Sequence, residues 1–596
     1  MNTFHPHPAT AAPDQEPTAT ADSPDQPTPL EWSQVRVGNV SAYVLVRGNE
    51  SAVVEVFRPN PRFTPDMATA DESVAKRAGF EFETLGVGHG NPVLTAASDQ
   101  VLELALTGRP SRTNNMPDPA RRTARPGQSI TQRLSLEPRA RGGTPVEPKN
   151  RPSYREIIES DGGAISNTLA LTANPPQSTD DIPFTHYISD DYFAREMDEM
   201  WPKVWQVACR EEHVPVVGDY FVYDIGQYSI VITRTAEDEL KGYYNSCLHR
   251  GTKLKPSGSA GWSPNIQCPF HGWTWNLTGE LNEVPCSWEF KHLDYEASCL
   301  PEVQVDTWSG FVFINMDPGC GPLLDYLEVL PNHFAHWGFE NWYVAVHTRK
   351  ELNCNWKIAM EGFMEAYHTP VVHPEMCQVV GDWNMQHDIF GDHVSRDLCP
   401  LGVSSPSLDE PLSEQELLNR SRPGNPTTSS TADATLPEGD TARMIMAADT
   451  RKRFRDDYGI DLSTHTDAEV IDSLKYNVFP NLMFSGGAAI HNLSIFSPMG
   501  NDTGRCTIDR MIFLPVPKDG PRPTPAQVVT VPEHESWSQD TAIGEFSAKV
   551  LDQDTSIMRM QYEGMQASCK GAQTLSSYQE SRVRWLHETL EKYVRP

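Results

Sequence analysis

The sequence predicts an α+β protein, an antiparallel β domain followed by a larger domain in which an antiparallel sheet is flanked by helices. Three observations predict it. Between about Gln206 and Asp317, short alternating runs such as DYFVYDI, SIVITRT and GFVFINM are punctuated by Gly and Pro, the pattern of half-buried antiparallel strands. Further on, strand-like runs (KYNVFPNLMFSG, CTIDRMIFLPV) mix with a terminal helical pattern, SSYQESRVRWLHETLEKYV. The 596 residues, at roughly 150 per domain, amount to about four domain-sized units.

Taken in order, residues 1–31 carry Pro, Thr, Ala and Asp with almost no large apolar side chain. They bury too little surface to offset the entropy of ordering and read as a disordered tail, in which His5 and His7 are not ligands. Residues 32–108 form a small folded segment: VRVGNVSAYVLVRGNESAVVEV predicts two strands joined by a turn at Gly48-Asn49, and SDQVLELALTG predicts a helix. Residues 109–164 return to Pro, Arg, Gly and Ser and read as a disordered, locally basic linker. Residues 165–320 begin with a helix in ISDDYFAREMDEMWPKVWQ, with Ser189 as N-cap and Asp190 and Asp191 in its first turn, and continue into the β domain. Residues 321–596 form the α+β domain, with 404–440 as a mobile insert.

Composition sets the outer limits. Lys plus Arg total 49 and Asp plus Glu total 80, so the formal charge is 49 − 80 = −31, which repels polyanions and argues against nucleic acid or anionic lipid as a partner. Apolar runs such as VSAYVLV at 40–46 fall short of the roughly 20 residues of a membrane helix. The opening stretch lacks a basic segment followed by an apolar one, so a cytoplasmic location is expected. Eleven cysteines spread thinly suit thiols and metal ligands in a reducing compartment better than a disulfide framework.

The first constellation is Cys247-x-His249, then 18 residues, then Cys268-x-x-His271. Each loop sits beside residues that favour tight turns (Gly251, Pro269, Gly272), so backbone N–H groups could reach the sulfurs. One Cys and one His per loop permit two ions as well as one. The competing assignment is structural zinc, but zinc fingers commonly place two Cys together and two His together, whereas the order here is Cys-His, Cys-His. CLHRG and CPFHGWTW resemble the two signature loops of the Rieske family, with a slightly longer intervening loop. The resemblance implies a 2Fe-2S cluster with one iron held by Cys247 and Cys268 and the other by His249 and His271.

The second constellation is NWKIAMEGFMEAYHTPVVHPE. Glu365 lies three residues before His368, so on a helix the two share a face. His373, five residues after His368, would be turned away on an uninterrupted helix, and Pro370 is expected to bend the chain and bring it back. Two imidazoles and a carboxylate on one face of iron(II) leave positions open for dioxygen and substrate. The segment resembles the iron-binding signature of Rieske non-heme iron oxygenase α subunits, aromatic-ring-hydroxylating enzymes among them, with Gly362 where many members have Asn and Glu365 where several have Asp. That resemblance makes His368 and His373 iron ligands and Glu365 the catalytic acid through which electrons arrive from a neighbouring subunit's cluster. The family's third ligand is a distant carboxylate, and VLDQDTSIMRMQYEGMQAS selects Asp554, with Asp552 as the alternative under a two-residue shift.

What the resemblance implies is a terminal oxygenase with one 2Fe-2S cluster and one Fe(2+), using O2 as co-substrate to hydroxylate an apolar, aromatic substrate, as in aromatic hydrocarbon catabolism. The alternatives are a monooxygenase or demethylase acting on a quaternary amine or methoxy compound, and a Rieske electron carrier with a degenerate catalytic domain. No GxGxxG followed by an acidic residue and no flavin-domain pattern occurs, so NAD(P)H oxidation falls to a separate reductase, with a ferredoxin as a further partner. A homotrimer of α subunits, joined in some members by a β subunit, is the family expectation. Phe363, Met364, Trp383, Met385, Ile389 and Phe390 are candidates to line the pocket, with core packing the competing role. WSQVRVGNVSAYVLVRGNESAVVE and GFEFETLGVGHGNPVLTAAS resemble the opening and closing parts of a metallo-β-lactamase domain without its H-x-H-x-D-H ligands, which implies a truncated remnant.

Overall fold

A computed structural model describes residues 31–37, 40–47, 50–57, 151–161, 163–173, 179–421, 435–518 and 520–594. The chain divides into two units, Met1–Gly143 and Thr144–Pro596. In the first, β1 (Glu31–Val37), β2 (Val40–Arg47) and β3 (Glu50–Phe57) form an antiparallel meander. Arg47 pairs with Glu50, which places Gly48-Asn49 between β2 and β3 as the sequence predicts, and β1 adds a strand to the hairpin. The tail histidines His5 and His7, the SDQVLELALTG segment and the lactamase-like closing part lie outside the described residues.

The second unit starts inside the stretch whose composition reads as a linker. Ser153 caps α1 (Tyr154–Ser160) in a reciprocal box with Glu156, and Tyr154, Ile157 and Ile158 are buried. The Tyr154 hydroxyl donates to Asp472 at 3.1 Å, tying this helix to the α+β domain. Residues 151–161 therefore belong to that domain, a correction to the expected boundary at 164. Ser189 does cap α2 (Asp190–Arg195), but the helix widens into a π turn at Glu196–Met200 and does not continue as α. Glu196 is fully buried there and faces Lys357, also fully buried.

The first β domain holds a seven-stranded sheet of β4 (Gln206–Arg210), β5 (Asp219–Ile225), β6 (Tyr228–Ala236), β7 (Glu239–Tyr244), β8 (Ala260–Trp262), β12 (Glu302–Trp308) and β13 (Phe311–Asn315), in the order β4-β13-β12-β7-β6-β5-β8. β9 (Ile266–Gln267), β10 (Thr274–Trp275) and β11 (Leu281–Glu283) form a small separate sheet. Ile225 pairs with Tyr228 across a two-residue turn. Gly226 takes a positive φ of 53° in that turn, where an added Cβ would also collide with Met197 Sδ at 2.3 Å.

The larger domain is an eight-stranded sheet ordered β15-β16-β17-β18-β19-β20-β14-β21. Its strands are β14 (Trp342–Leu352), β15 (Gln386–Ile389), β16 (Val394–Cys399), β17 (Ser473–Val478), β18 (Leu482–Gly486), β19 (Asn492–Met499), β20 (Asp502–Pro515) and β21 (Val529–Val531). All neighbours are antiparallel except β14 and β21. One face packs through Leu398, Leu474, Tyr476, Phe484 and Phe513 into the apolar core. The other carries α3 (Trp356–Glu361), α4 (Thr369–Val372), α7 (Glu545–Ala567) and α8 (Ser581–Tyr593). The expected insert is folded at both ends: Ser413 caps α5 (Glu414–Arg420), which buries Leu417 and Leu418, and α6 (Ala442–Tyr458) follows, with 422–434 outside the described residues.

Because Lys357 and Glu196 are removed from water together, each depends on the other for compensation. Lys357→Ala, which strands the carboxylate, is expected to lower the unfolding free energy by about 3–5 kcal/mol, whereas Glu196→Leu with Lys357→Met loses much less. Urea unfolding of the two variants against the parent chain measures both.

Candidate metal centres

The two Cys/His loops close in the same way. Cys247 O accepts from Gly251 N at 2.8 Å and Cys247 N donates to Thr252 O at 2.9 Å; Cys268 O accepts from Gly272 N at 3.1 Å and Cys268 N donates to Trp273 O at 2.8 Å. Gly251 and Gly272 both sit at positive φ, 73° and 76°, which is why each loop needs glycine four residues after its cysteine. Burial raises the Cys247 thiol pKa, while backbone N–H groups of His249 and Arg250 aimed at the sulfur pull it down.

The donors come together as pairs. Cys247 and Cys268 are buried with their thiols in hydrogen-bond reach of each other, and the His249 and His271 rings lie 4.7 Å apart. A single tetrahedral zinc would need all four donor atoms within about 4 Å of one another. Among the described residues, the one set of three or more His, Cys, Asp or Glu donors within 4.8 Å of one another lies elsewhere. A sulfur pair facing an imidazole pair fits a two-iron cluster. His249 stacks on Trp273 and its Nδ1 is enclosed without a protein partner, an orphan that a metal ion would satisfy. The histidine end opens outward beside exposed Leu248 and Phe270.

The convergent set is His368, His373 and Asp554. Asp554 Oδ1 lies 2.7 Å from His373 Nε2 and 3.5 Å from His368 Nε2. Both imidazoles bracket α4: His368 is its N-cap and His373 its C-cap. The local geometry differs from the sequence expectation in two ways. Glu365 and His368 share a turn instead of a helical face, with Glu365 Oε2 accepting from His368 N at 3.2 Å and also from Tyr367 N. Pro370 occupies the first turn of α4, where its missing N–H is harmless, so it starts a helical turn and does not break one.

Second partners fix the rings. His368 Nδ1 meets Glu365 Oε1 at 2.6 Å, and His373 Nδ1 meets Gln553 Oε1 at 2.9 Å, leaving both Nε2 atoms for the shared point. Gln553 in turn donates to Glu375 at 3.1 Å. Sequence reading missed Gln553 and Glu375, whose only signal is adjacency to Asp554 and His373. Burial works against protonated His368, but Asp554 and Glu365 outweigh it and push its pKa up to about 10.

Asp554 stands in the middle of α7. Asp552 is turned away and accepts from Ser536 Oγ at 2.5 Å and Trp537 N at 3.0 Å. Met558, one turn after Asp554, packs where a Cβ on Gly362 would stand 2.9 Å from its Cε, so glycine lets α7 close on the loop.

The floor under this loop is polar. Paired residues share a face, which aligns His387 with Asp397 and Ser395 with Asn477 across β15, β16 and β17. Arg582 reaches Asp397 and Asn477 and donates to Met364 O at 2.9 Å, and Lys475 approaches Phe363 O at 3.4 Å. Both His387 ring nitrogens, Asp397 Oδ1 and Asn477 Nδ2 are buried without hydrogen bonds. Of the expected apolar lining, Phe363 rests on Phe496 with rings 5.7 Å apart. Met364 is wholly buried in the main core, while Ile389 and Phe390 pack against it. Met385 joins a satellite cluster with Ala366, and Trp383 stands 6.4 Å from the Tyr367 ring.

Residues 204–296 match the family described as Rieske 2Fe-2S domain, and residues 339–595 the family described as ring hydroxylating alpha subunit (catalytic domain). The glycine betaine monooxygenase oxygenase subunit of Pseudomonas aeruginosa is 29% identical over 259 residues, 43% of this chain and 54% of that one. The carnitine monooxygenase oxygenase subunit of Escherichia coli K12 is 29% identical over 217 residues, 36% and 58% of the two chains. The chloroplastic choline monooxygenase of Beta vulgaris is 26% identical over 205 residues, 33% and 46%. The chain thus spans about half the length of the curated relatives it matches. A solved quaternary ammonium Rieske monooxygenase superposes with a TM-score of 0.50 at 17% identity, over 71% of this chain and all of that one, which establishes a shared fold.

Asp554→Ala is expected to remove the mononuclear iron while sparing the cluster's visible spectrum, and Asp552→Asn to retain both, as read by iron and sulfide per chain. Iron has to displace the proton that Asp554 and Glu365 favour on His368, so iron retention is expected to weaken as pH falls, by up to about tenfold per unit for each proton displaced. Equilibrium dialysis against iron(II) across pH 6–8 would expose a flat profile if the imidazoles are not ligands.

Proposed function

We propose that this chain, a Rieske 2Fe-2S domain joined to the catalytic domain of a ring-hydroxylating α subunit, is the terminal oxygenase of an electron-transfer system and oxidises a quaternary amine. The observation that carries the substrate reading is the polar floor. Each buried polar atom left unpaired costs about 1–3 kcal/mol, and a bound arene offers no hydrogen bond to the His387 ring nitrogens, Asp397 Oδ1 or Asn477 Nδ2. A polar substrate with its waters relieves them. The relatives named for glycine betaine, carnitine and choline point the same way, and the apolar aromatic substrate expected from sequence takes second place.

Cys247, Cys268, His249 and His271 would hold the cluster, and His368, His373 and Asp554 the iron. When bound, the cluster supplies electrons singly and the iron activates dioxygen. The protein's own contribution is orientation. Glu365 and Gln553 hold the two Nδ1 atoms, so both imidazoles present Nε2 to the point that Asp554 shares. Asp554 supplies one negative charge in a buried place, which selects a cation for that point. Arg582 and Lys475 grip the carbonyls of Met364 and Phe363 and hold the loop above its floor.

Glu365, held 2.6 Å from His368 Nδ1, would be the entry point for electrons from the cluster of a neighbouring copy. Exposed Leu248 and Phe270 beside the histidine end of the cluster loops, and exposed Tyr367 and Val371 on the iron loop, offer apolar surfaces for such a contact. A homotrimer and a separate NAD(P)H-oxidising reductase complete the system.

With a reductase and NADH, the oxygenase is expected to consume oxygen on addition of a quaternary amine such as glycine betaine and, where a methyl is removed, to release formaldehyde in equal amount. Oxygen uptake with naphthalene and none with any quaternary amine would overturn the substrate reading; no uptake with either, from protein loaded with both centres, would return the chain to an electron carrier.

A further inference from the structure

Arg510 lies on β20, on the face of the sheet that the iron loop covers. Register fixes this: Arg510 pairs with Ser494 of β19, and Phe496, two residues along, meets the ring of Phe363. Paired residues and residues two apart point to the same side, so Arg510, Ser494 and Phe496 share the floor. One strand across and two residues along, Arg510 Cα is about 8 Å from Phe496 Cα, within reach of a guanidinium.

Its partners are neutral. Nη1 donates to Ser494 Oγ at 3.0 Å, and Nη2 donates to the Asn492 side-chain oxygen at 3.2 Å with that amide turned to satisfy both its ends. Arg396, Arg443 and Arg582 on the same domain each face a carboxylate, Asp388, Asp472 and Asp397. Arg510 has none among the described residues, and burial alone pushes its pKa down to about 10, so it stays charged at neutral pH. As a residue it keeps partial exposure, as do Asn492 and Lys475 on the same face of the sheet. In a chain of net charge −31, an inward guanidinium without an acid has its carboxylate still to come.

We propose that Arg510 binds a carboxylate carried by the substrate, so that the amine oxidised is a betaine, with cation and acid in one molecule, and not an amino alcohol. This rests on the quaternary-amine reading above. The substrates named for the relatives divide along the same line: glycine betaine and carnitine carry a carboxylate and choline a hydroxyl.

The test is calorimetric titration of the iron-loaded oxygenase under nitrogen with glycine betaine, carnitine and choline, for the parent chain, Arg510→Lys and Arg510→Gln. The parent is expected to bind at least one of the two betaines more tightly than choline. Arg510→Gln is expected to weaken that betaine roughly 30-fold or more and leave choline unchanged, with Arg510→Lys between. The Rieske visible spectrum and the thermal midpoint report whether each variant is folded, and Arg510→Lys carries the test if Arg510→Gln is not. Betaine binding unchanged in the variants, or betaine and choline weakened alike, overturns the anchor and leaves the quaternary-amine reading standing. No quaternary amine bound by the parent chain overturns that reading and the anchor with it.

Discussion

Asp554 has to lie desolvated between two imidazoles that enter from a loop 181 residues earlier in the chain, and the larger domain is organised around that meeting. A carboxylate so placed is stable only against partners of the right charge at short range, so the helix that carries it and the loop that carries the histidines must be held to within an ångström. Neither element does this alone. The loop is irregular, and α7 presents Asp554 on one face and Asp552 on another. The positioning comes from what both pack on: α3, whose C-terminus runs into the loop, and the sheet beneath.

Helix α3 is anchored at both ends by buried polar groups from outside the domain's sheet. At its start, Glu196 from the π turn receives the Trp356 indole at 3.1 Å as well as Lys357. At its end, the Glu361 carboxyl, which burial pushes up to about 8, meets the Tyr187 hydroxyl at 2.9 Å and His587 Nε2 at 2.7 Å. Apolar contacts alone would tolerate sliding, whereas a mismatched hydrogen bond in this environment does not. The segment before the first β domain and the last helix of the chain therefore both help fix where His368 stands, although neither carries a ligand.

Most of the candidate metal-site residues were legible because their spacing is local. Cys247-x-His249 and Cys268-x-x-His271 fit short loops whose glycines take positive φ, and His368 and His373 bracket one helical turn. Asp554 was selected by resemblance, and its identity becomes physical only when α7 is laid against the loop. The misread parts share a cause. The Tyr154–Ser160 helix and the Glu414–Arg420 helix sit in Pro- and Ser-rich surroundings, and composition averaged over such stretches hides a four-residue capping box that the S-Y-R-E and S-E-Q-E sequences do contain. The polar floor was invisible for another reason: each strand contributes one or two polar residues to a run that otherwise reads as core, and their alignment is set by strand register, which alternation alone does not reveal.

That floor separates what the fold needs from what the site needs. An apolar residue in place of His387 would remove two buried nitrogens that now lack hydrogen bonds, and sheet packing by itself would favour the change, whereas Asp397 and Asn477 cannot be replaced without stranding the buried Arg582 guanidinium. Their cost is moderated on one side by Arg582 and Lys475, which spend their charge on Asp397 and on the loop carbonyls, so the acid there is already matched. No such matching exists at Arg510, two neutral acceptors from β19 being all that the sheet provides. The same face is thus balanced where it supports the loop and left unbalanced where the described residues supply no acid, and an unbalanced cation inside an acidic protein is a demand for an anion from outside.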